Sequence, residues 1–314
     1  MVEISISICI CTFKRPQLLA RLLNAIRMQD IQDVTLQIIV VDNDPAHSAQ
    51  SELQKQAALF GERLTFIHLP VSNISLARNV AISAAQGEWI CMVDDDEYPQ
   101  SSWLRELRNA QRSYQADVVF APVVPEYDAS TPEWVRRGGY FERRRLPNGT
   151  VIDHHDARSG NVLVRRSVLL AQAQNGAVFD PAFGRTGGED SVLFRRLDMA
   201  GAKMIWCDDA PVFESVPAER ATRKWLLQRS FRTGQLFMRT ELLMTPAAQR
   251  PLRACWLGLR AILQALIGML CVALLILFAP QRAFRWARIV ASQFGKLNHF
   301  AGKVPEAYGS PESS

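Results

Sequence analysis

Cysteine and histidine are scarce in this sequence, and the common glycine-rich nucleotide motifs are missing. The 314 residues include six cysteines, with no pair at CxxC spacing, and five histidines without metal-ligand spacing. This scarcity argues against a disulfide framework and a zinc site, and it favours a reducing compartment. No GxGxxG follows the first predicted strand, and no GxxxxGK[ST] occurs. A dinucleotide-dependent oxidoreductase and a P-loop NTPase are therefore disfavoured.

Low-complexity tracts, internal repeats and a secretory signal are also missing. Met1–Cys11 alternates Ile with Ser or Cys instead of pairing a basic start with an apolar run, so we expect it to belong to the fold. With 48% apolar and 21% charged residues, the chain is not a disordered, collagen-like or coiled-coil protein. Its length allows one large α/β domain with an appendage, or two modest domains.

Acidic residues are rare in the last third of the chain. From Ser215 to Ser314 there are 14 Lys/Arg and 4 Asp/Glu, a balance of +10, whereas the preceding part has 22 and 27, a balance of −5. This asymmetry predicts a globular catalytic part followed by a segment that meets anionic lipid. Nucleic acid is a less suitable partner, because the basic residues are concentrated beside an apolar segment.

Strand-like and helical periodicities alternate along the first 210 residues. Strands are predicted at 4–10, 36–41, 64–69, 89–93, 118–124, 162–165 and 204–208, the last at a sheet edge. Helices are predicted at 18–26, 48–60, 75–85, 103–114 and 189–200, and residues 125–159 form a long irregular stretch. The alternation predicts an open, largely parallel sheet with helices on both faces.

The rear of the chain combines basic and apolar segments. A basic helix is predicted over 220–234, and Ala261–Ala279 is an apolar run whose one strongly polar residue is Gln264. This run is near the ~20 residues that span a bilayer. Because arginines lie on both sides of the run, it could span the bilayer, insert shallowly or form a hairpin-like insertion. In the last two cases Phe284–Phe294 would be a neighbouring amphipathic segment. We expect a catalytic domain over 1–214, a basic helical extension over 215–250 and a membrane-associated helical tail over 251–314.

Polar residues follow the predicted strands where ligands bind in open α/β sheets. Asp94-Asp95-Asp96-Glu97 comes directly after an apolar strand, and Asp94 and Asp96 share one side of an extended segment. Such carboxylates suit Mg²⁺ or Mn²⁺ bridging to a diphosphate, and a solvated acidic turn is the alternative.

Three further motifs allow both a functional and a structural interpretation. Asp42 and Asp44 end the second strand, where they can bind a nucleoside or form an ordinary turn. Arg78 can pair with phosphate or lie exposed on a helix. Gly187-Gly188-Glu189-Asp190 begins a helix, so its carboxylates can serve as a general base or as helix caps.

Together the motifs resemble the family 2 glycosyltransferases, which are inverting enzymes of the GT-A fold. The matching segments are Ile6–Pro16, Val40–Asp44, Asn73–Asn79, Val93–Glu97 and Gly187–Asp190. Within this family the sequence is most similar to bacterial exopolysaccharide glucosyltransferases of the succinoglycan type, which share the SNISxARN segment and a basic helix, here Trp225–Arg232. That helix lacks the Arg-Trp ending of processive synthases, which favours the addition of a single sugar.

The resemblance implies a role for each matching site residue. The implied donor-binding residues are Thr12 and Asp42 in the nucleotide pocket, Arg78 near the diphosphate, Asp94 at the ribose, and its neighbour Asp95. Asp96 would ligate the metal, Mg²⁺ or Mn²⁺. Asp190 would deprotonate the acceptor hydroxyl, and Glu189 would steer the acceptor or substitute as the base.

The implied function is a metal-dependent hexosyltransferase of exopolysaccharide synthesis at the cytoplasmic face of the bacterial inner membrane. The expected donor is UDP-glucose, with UDP-galactose or UDP-N-acetylglucosamine as alternatives. The expected acceptor is a lipid-linked oligosaccharide, and no nucleic-acid partner is expected. A non-catalytic, membrane-tethered nucleotide-sugar-binding protein is the alternative from another functional class.

Overall fold

The computed structural model describes residues 4–30 and 34–302; the end of the predicted tail lies outside the described residues. The strands are β1 (Ile4–Thr12), β2 (Val34–Asp42), β3 (Leu64–His68), β4 (Trp89–Met92), β5 (Glu97–Pro99), β6 (Val118–Phe120), β7 (Val123–Tyr127), β8 (Val162–Arg165), β9 (Met204–Trp206) and β10 (Val212–Val216). The α-helices are α1 (Pro16–Arg27), α2 (Gln50–Phe60), α3 (Ile74–Ala84), α4 (Trp103–Tyr114), α5 (Glu133–Gly138), α6 (Arg166–Leu170), α7 (Glu189–Met199), α8 (Arg223–Met244), α9 (Arg250–Leu275) and α10 (Pro280–Asn298).

A central sheet has the strand order β3-β2-β1-β4-β8-β6-β9. The pairs β1–β2, β1–β4, β2–β3 and β6–β9 are parallel, whereas β8 is antiparallel to both of its neighbours. The predicted largely parallel sheet is confirmed, and β9 is its edge strand. Because β1 to β4 run in the same direction, their carboxyl ends lie at one edge of the sheet.

Helices cover both faces of this sheet, as predicted. Alternate residues of a strand point to opposite faces. On one face Ile6, Ile8 and Ile10 pack with the buried leucines of α1 and with Trp103 of α4. On the other face Cys9 and β2 residues pack with α3 and α7. Full burial of one such Leu or Ile side chain contributes roughly 1.5–3 kcal/mol to folding.

The strand predicted over 118–124 is two strands in the structure. β6 ends at Phe120 and pairs in the central sheet, whereas β7 begins at Val123 in a second sheet of order β5-β10-β7. Pro122 lies between them, and proline has no backbone N–H to donate to a strand ladder. The single-strand prediction is therefore wrong, because Pro122 interrupts the ladder.

The described residues divide into two compact units. Unit 1 contains the residues up to Pro125 and Arg143–Ser215, and unit 2 contains Glu126–Glu142 and the residues from Val216 onward. The stretch predicted as irregular contributes α5 to unit 2, where Val135 and Tyr140 pack with Leu226 of α8. The predicted division of the chain at 214 and 250 stays a prediction.

The helices of unit 2 are longer than the sequence pattern indicates. α8 begins where the Thr222 hydroxyl accepts the Trp225 N–H, and it continues to Met244 instead of ending near Gly234. Gly234 does not end the helix, because it faces α10: a Cβ there would lie 1.9 Å from the carbonyl oxygen of Ser292. The apolar run lies in α9 up to Leu275, where the helix that began at Arg250 ends, and residues 276–279 follow it. α10 includes the predicted amphipathic neighbour.

Candidate active site

The site lies in unit 1, at the carboxyl edge of the parallel strands. Thr12 ends β1 and pairs in register with Asp42 at the end of β2. The adjacent strand β4 ends at Met92, two residues before the acidic cluster. Parallel pairing thus brings two of the predicted motifs to one edge of the sheet.

Asp95 is the structural centre of the acidic cluster. Its carboxylate accepts a hydrogen bond from the Thr12 hydroxyl at 2.8 Å and one from Arg15 Nη1 at 3.2 Å. Burial raises the pKa of Asp95 to about 7, although the Arg15 guanidinium opposes the rise. Because Asp95 is 5% exposed and both of its oxygens accept hydrogen bonds, we assign it to holding β1 against the cluster.

The neighbouring carboxyl groups differ in exposure. The Asp96 carboxylate accepts a hydrogen bond from Arg15 Nη1 at 2.8 Å, whereas the Asp94 side chain is 46% exposed. Glu97 is buried and accepts the Asp94 N–H at 3.1 Å. Burial raises the pKa of Glu97 well above its usual value, and the Asp94 carboxylate adds to the rise.

Arg78 joins the acidic cluster to the Gly-Gly-Glu-Asp motif. From α3, its Nη1 donates to Glu189 at 2.5 Å and its Nη2 donates to Asp94 at 3.3 Å. Burial raises the pKa of Glu189 to about 7, although the Arg78 guanidinium opposes the rise. Glu189 Oε2 is buried without a hydrogen-bond partner among the described residues. A single guanidinium therefore ties the two predicted clusters together.

The loop before α7 is held in place by α3. Asn79 bonds the backbone of Phe179 twice: its amide nitrogen donates to the carbonyl at 2.8 Å, and its oxygen accepts the N–H at 2.9 Å. Gly187 and Gly188 then adopt φ values of 83° and 93°, a region that favours glycine. These contacts position the first turn of α7 beside Arg78.

Asp190 follows Glu189 on α7 and is half-buried. Its Oδ1 accepts the Ser191 N–H at 2.7 Å. Asp190 lies in the first turn of α7, where the positive end of the helix dipole attracts negative charge. Asp190 is thus the neighbour of the residue that Arg78 binds, and its role as a proton acceptor stays a prediction.

The Asp42 carboxylate accepts hydrogen bonds from backbone groups that are near it in the sequence. Its Oδ1 accepts the Asp44 N–H at 3.0 Å, and its Oδ2 accepts the Ala49 N–H at 3.1 Å, at the start of α2. Asp42 is fully buried and Thr12 is nearly so. The structure places both residues at the correct edge of the sheet, and their contacts with a donor stay predictions.

The sequence pattern put Arg15 and Glu97 at this strand edge but gave neither residue a role of its own in the site. Arg15 lies in the loop after β1, and its position at the same strand edge as the acidic cluster was the available signal. Glu97 was grouped with the cluster without a role of its own. A Cβ at Gly160 would lie 2.4 Å from Glu97 Oε1, so a glycine at this position makes room for the Glu97 carboxyl group.

The carboxylate oxygen atoms of the site are suitable ligands for a divalent cation. The site contains the carboxyl groups of Asp94, Asp95, Asp96, Glu97 and Glu189 against the guanidinium groups of Arg15 and Arg78. Asp94 and Asp96 provide the hard oxygen atoms that Mg²⁺ and Mn²⁺ prefer. A cavity of about 10 Å³ beside Arg78 and Asp94 has room for one water molecule.

A second group of possible metal ligands lies outside this network. The side chains of Asp153, His154 and His155 place ligand atoms within 4.8 Å of one another, which the sequence spacing did not indicate. His154 Nδ1 lies 2.6 Å from the Asp198 carboxylate. Asp153 and His155 are exposed, and their contacts do not connect them to the acidic cluster.

The chain is similar to known glycosyltransferases in sequence. Residues 7–171 match the family described as Glycosyl transferase family 2. "Succinoglycan biosynthesis protein ExoM" of Rhizobium meliloti (strain 1021) is 33% identical over 230 residues, which are 73% of this chain and 73% of that protein.

Two solved structures share the fold. A mannosyltransferase from Pyrobaculum calidifontis, PcManGT in complex with GDP-Man and Mn²⁺, gives a TM-score of 0.62 at 17% identity and covers 95% of this chain and 87% of that one. Staphylococcus aureus TarS 1–349 gives a TM-score of 0.53 at 15% identity and covers 95% of this chain and 92% of that one. The predicted GT-A fold is thereby confirmed. Since the family match also spans more than half of the sequence, the chain belongs to glycosyl transferase family 2.

Proposed function

We propose that this chain transfers a single hexose, glucose from UDP-glucose, to a lipid-linked oligosaccharide in bacterial exopolysaccharide synthesis. The observation that carries the proposal is the bridge from Asp94 through Arg78 to Glu189. It unites a donor-binding acidic cluster with the turn that carries a general base. The relative ExoM, named for succinoglycan biosynthesis, supports the exopolysaccharide assignment.

In this proposal Asp190 accepts the proton of the acceptor hydroxyl group. The acceptor oxygen forms a bond with the anomeric carbon, and the bond from that carbon to the diphosphate oxygen breaks, so the configuration inverts. Glu189 is 3% exposed and is bonded to Arg78, which suits a residue that positions the α7 turn. Thr12, Asp42, Arg78, Asp94 and Asp95 form the donor side of the site.

Asp96 would hold Mg²⁺ or Mn²⁺. The bound cation would offset the negative charge of the departing diphosphate. PcManGT was solved with GDP-Man and Mn²⁺ and TarS with UDP, which supports a nucleotide-sugar donor and a cation in this fold. The Arg15 guanidinium, 2.8 Å from Asp96, would share this carboxylate with the cation.

The proposal places the enzyme at the cytoplasmic face of the inner membrane. Within the described residues, Ala247–Leu275 is long and apolar enough to cross a bilayer by length and composition, and this helical segment is mostly exposed. Nucleotide sugars are made in the cytosol, so the site must face that side. Membrane attachment would hold the enzyme where a lipid-linked acceptor resides.

The test supplies membranes that contain this protein with radiolabelled UDP-glucose, UDP-galactose or UDP-N-acetylglucosamine, and then extracts the lipid fraction. We expect lipid-bound label from UDP-glucose. Asp190→Asn should lower the transfer rate by about 10²–10⁴-fold, the usual contribution of a general base. UDP binding should persist, because Asp190 lies on the acceptor side.

Asp153→Asn is the matched control, since the carboxylate of this exposed aspartate of unit 1 has one described hydrogen bond, from the local His155 N–H. It should keep the normal rate. Full activity in Asp190→Asn would refute the site assignment. Binding of UDP-sugars without transfer from any of them would indicate the non-catalytic binding protein, and label from another sugar would change the donor.

A further inference from the structure

Helix α9 exposes a continuous apolar face. Its exposed side chains recur at helical spacing over six turns, and eight of them are Trp256, Leu259, Ile262, Leu263, Leu266, Ile267, Leu270 and Leu274. Large exposed apolar patches on a protein mark a surface that binds a partner or a membrane. The chemistry of the partner follows from what surrounds this face.

The opposite face of α9 packs on α10 along most of its length. The residues buried there are Leu257, Gly258, Ala261, Ala265 and Gly268. A Cβ at Gly268 would lie 2.6 Å from Val290, and one at Gly258 would lie 3.9 Å from Phe300. As the α9 residue number falls, the number of its partner rises, so α9 and its partner segment are antiparallel.

α10 packs equally closely on α8. A Cβ at Gly295 would lie 1.9 Å from the carbonyl oxygen of Phe231, so the two backbones are in contact. Arg288 donates to the Ser230 hydroxyl at 3.3 Å, and Gln235 donates to Asn298 at 2.8 Å. α8 and α10 are therefore parallel, and α10 is the central helix of a three-helix layer.

This layer combines the apolar surface of α9 with a strongly charged helix, α8. α8 carries six charged residues: Arg223, Lys224, Arg229, Arg232, Arg239 and Glu241. Arg253 of α9 bonds Glu241 at 2.9 Å, so the N-terminal end of α9 is attached to α8 as well. Were α9 to cross a bilayer, α10 and α8 would have to enter the hydrocarbon with their charges, which is unfavourable.

The charged residues of α9 and α10 themselves are all basic. α9 and α10 together contain seven Lys/Arg and no Asp/Glu. Among these, Arg260 and Arg282 are exposed. Basic side chains next to an exposed apolar helix are attracted to anionic lipid headgroups, whereas a second copy of the same helix would bring like charges together.

From this arrangement we infer that α9 lies in the plane of the membrane surface, with its apolar face in the boundary of headgroups and acyl chains, and does not cross the bilayer. The polar side that interfacial helices need is supplied by α8 and α10. The occupant of the face is anionic phospholipid. This inference rests on the proposed membrane attachment and adds its geometry.

The test places a single reporter cysteine on either side of α9 in the full chain, at position 249 just before the helix and at position 281 in the first turn of α10. Gln249→Cys and Gln281→Cys are made separately with Cys255→Ala and Cys271→Ala, and the protein without an added cysteine gives the background. Each protein is added to sealed phosphatidylglycerol-containing vesicles and treated with a membrane-impermeant maleimide. We expect equal labelling of both positions in intact vesicles, unchanged after permeabilisation.

Labelling of Gln281→Cys that requires permeabilisation would overturn the inference in favour of a spanning helix, and would leave membrane attachment standing. Absence of vesicle binding would overturn the attachment itself. If α9 instead binds a second copy, the protein will dimerise without vesicles, and the inference fails.

Substitution of residues on the apolar face of α9 gives an independent test of membrane binding. Leu263→Gln with Ile267→Gln should reduce flotation with phosphatidylglycerol vesicles at least 10-fold. The control Leu59→Gln with Met199→Gln, which changes two exposed apolar residues of unit 1, should not reduce it. Binding should be weaker to pure phosphatidylcholine vesicles and at high salt. Unchanged flotation of the first variant would refute docking through this face.

Discussion

The buried pair of Arg78 and Glu189 predicts a stability change that grows with pH. Their side chains are 10% and 3% exposed, and Arg78 also bonds Asp94. The perturbation is Arg78→Met, which removes the guanidinium and keeps a long unbranched side chain. Glu189 then loses its bonded cation while it remains buried.

The magnitude depends on whether Glu189 keeps its charge. Breaking a buried ion pair costs about 3–5 kcal/mol when the remaining partner stays charged. Protonation of Glu189 avoids part of this cost. With Arg78 present, the pKa of Glu189 is about 7, and Arg78 is the first influence that lowers it. Without Arg78 the pKa of Glu189 must lie higher.

The sign of the pH dependence follows from linkage. In the wild type the pKa of Glu189 is about 7 when folded and 4.5 in the reference state. Its contribution to the free energy of unfolding therefore falls as the pH rises between these values and is constant above them. In Arg78→Met the fall continues above pH 7, by up to about 1.4 kcal/mol per pH unit.

The assay is urea unfolding followed by tryptophan fluorescence, at about pH 7 and about pH 9. We expect the destabilisation by Arg78→Met to be larger at the higher pH. The control adds Glu189→Gln to Arg78→Met, which removes the titrating group and should remove the extra pH dependence. Equal destabilisation by Arg78→Met at both pH values would refute the reasoning.

Two further predictions concern the cation and the α7 turn. Chelation with EDTA should abolish sugar transfer. Added Mg²⁺ or Mn²⁺ should restore transfer in the wild type and not in Asp96→Ala. Full activity in EDTA would contradict a cation site. Gly188→Ala should lower the free energy of unfolding by about 1–2 kcal/mol, because the φ of Gly188 is 93°. Urea unfolding measures this loss, and an unchanged midpoint would show that the turn tolerates a side chain.

The sequence predicted the central sheet well where the periodicity was strong. Strands β1, β2 and β4 and helices α1 and α4 lie where alternating or helical patterns place them. The pattern failed at Pro122, because apolar residues on both sides of a proline resemble one strand. It also failed at Gly234, where a glycine that usually weakens a helix is needed for contact with α10.

The site was predicted in its residue types and less well in its connections. The acidic cluster, Arg78 and the Gly-Gly-Glu-Asp turn were all singled out, and the structure brings them together. The role of Arg15 was not predicted, since nothing local shows that its guanidinium reaches Asp95 and Asp96. The hydrogen bonds that the Asp42 carboxylate accepts from the Asp44 and Ala49 N–H groups were not predicted either, because they depend on where the folded backbone places those groups.

The sequence by itself determined the alternation of strands and helices, the apolar and basic character of α9 and α10, and the motifs of the family. These properties depend on residue type and on spacing along the chain. Only the tertiary structure decided which acids share a guanidinium, which carboxyl groups are buried and which face of α9 is covered. These properties depend on contacts such as Arg78 with Glu189, 111 residues apart, and burial and charge pairing are created only when the chain brings such residues together.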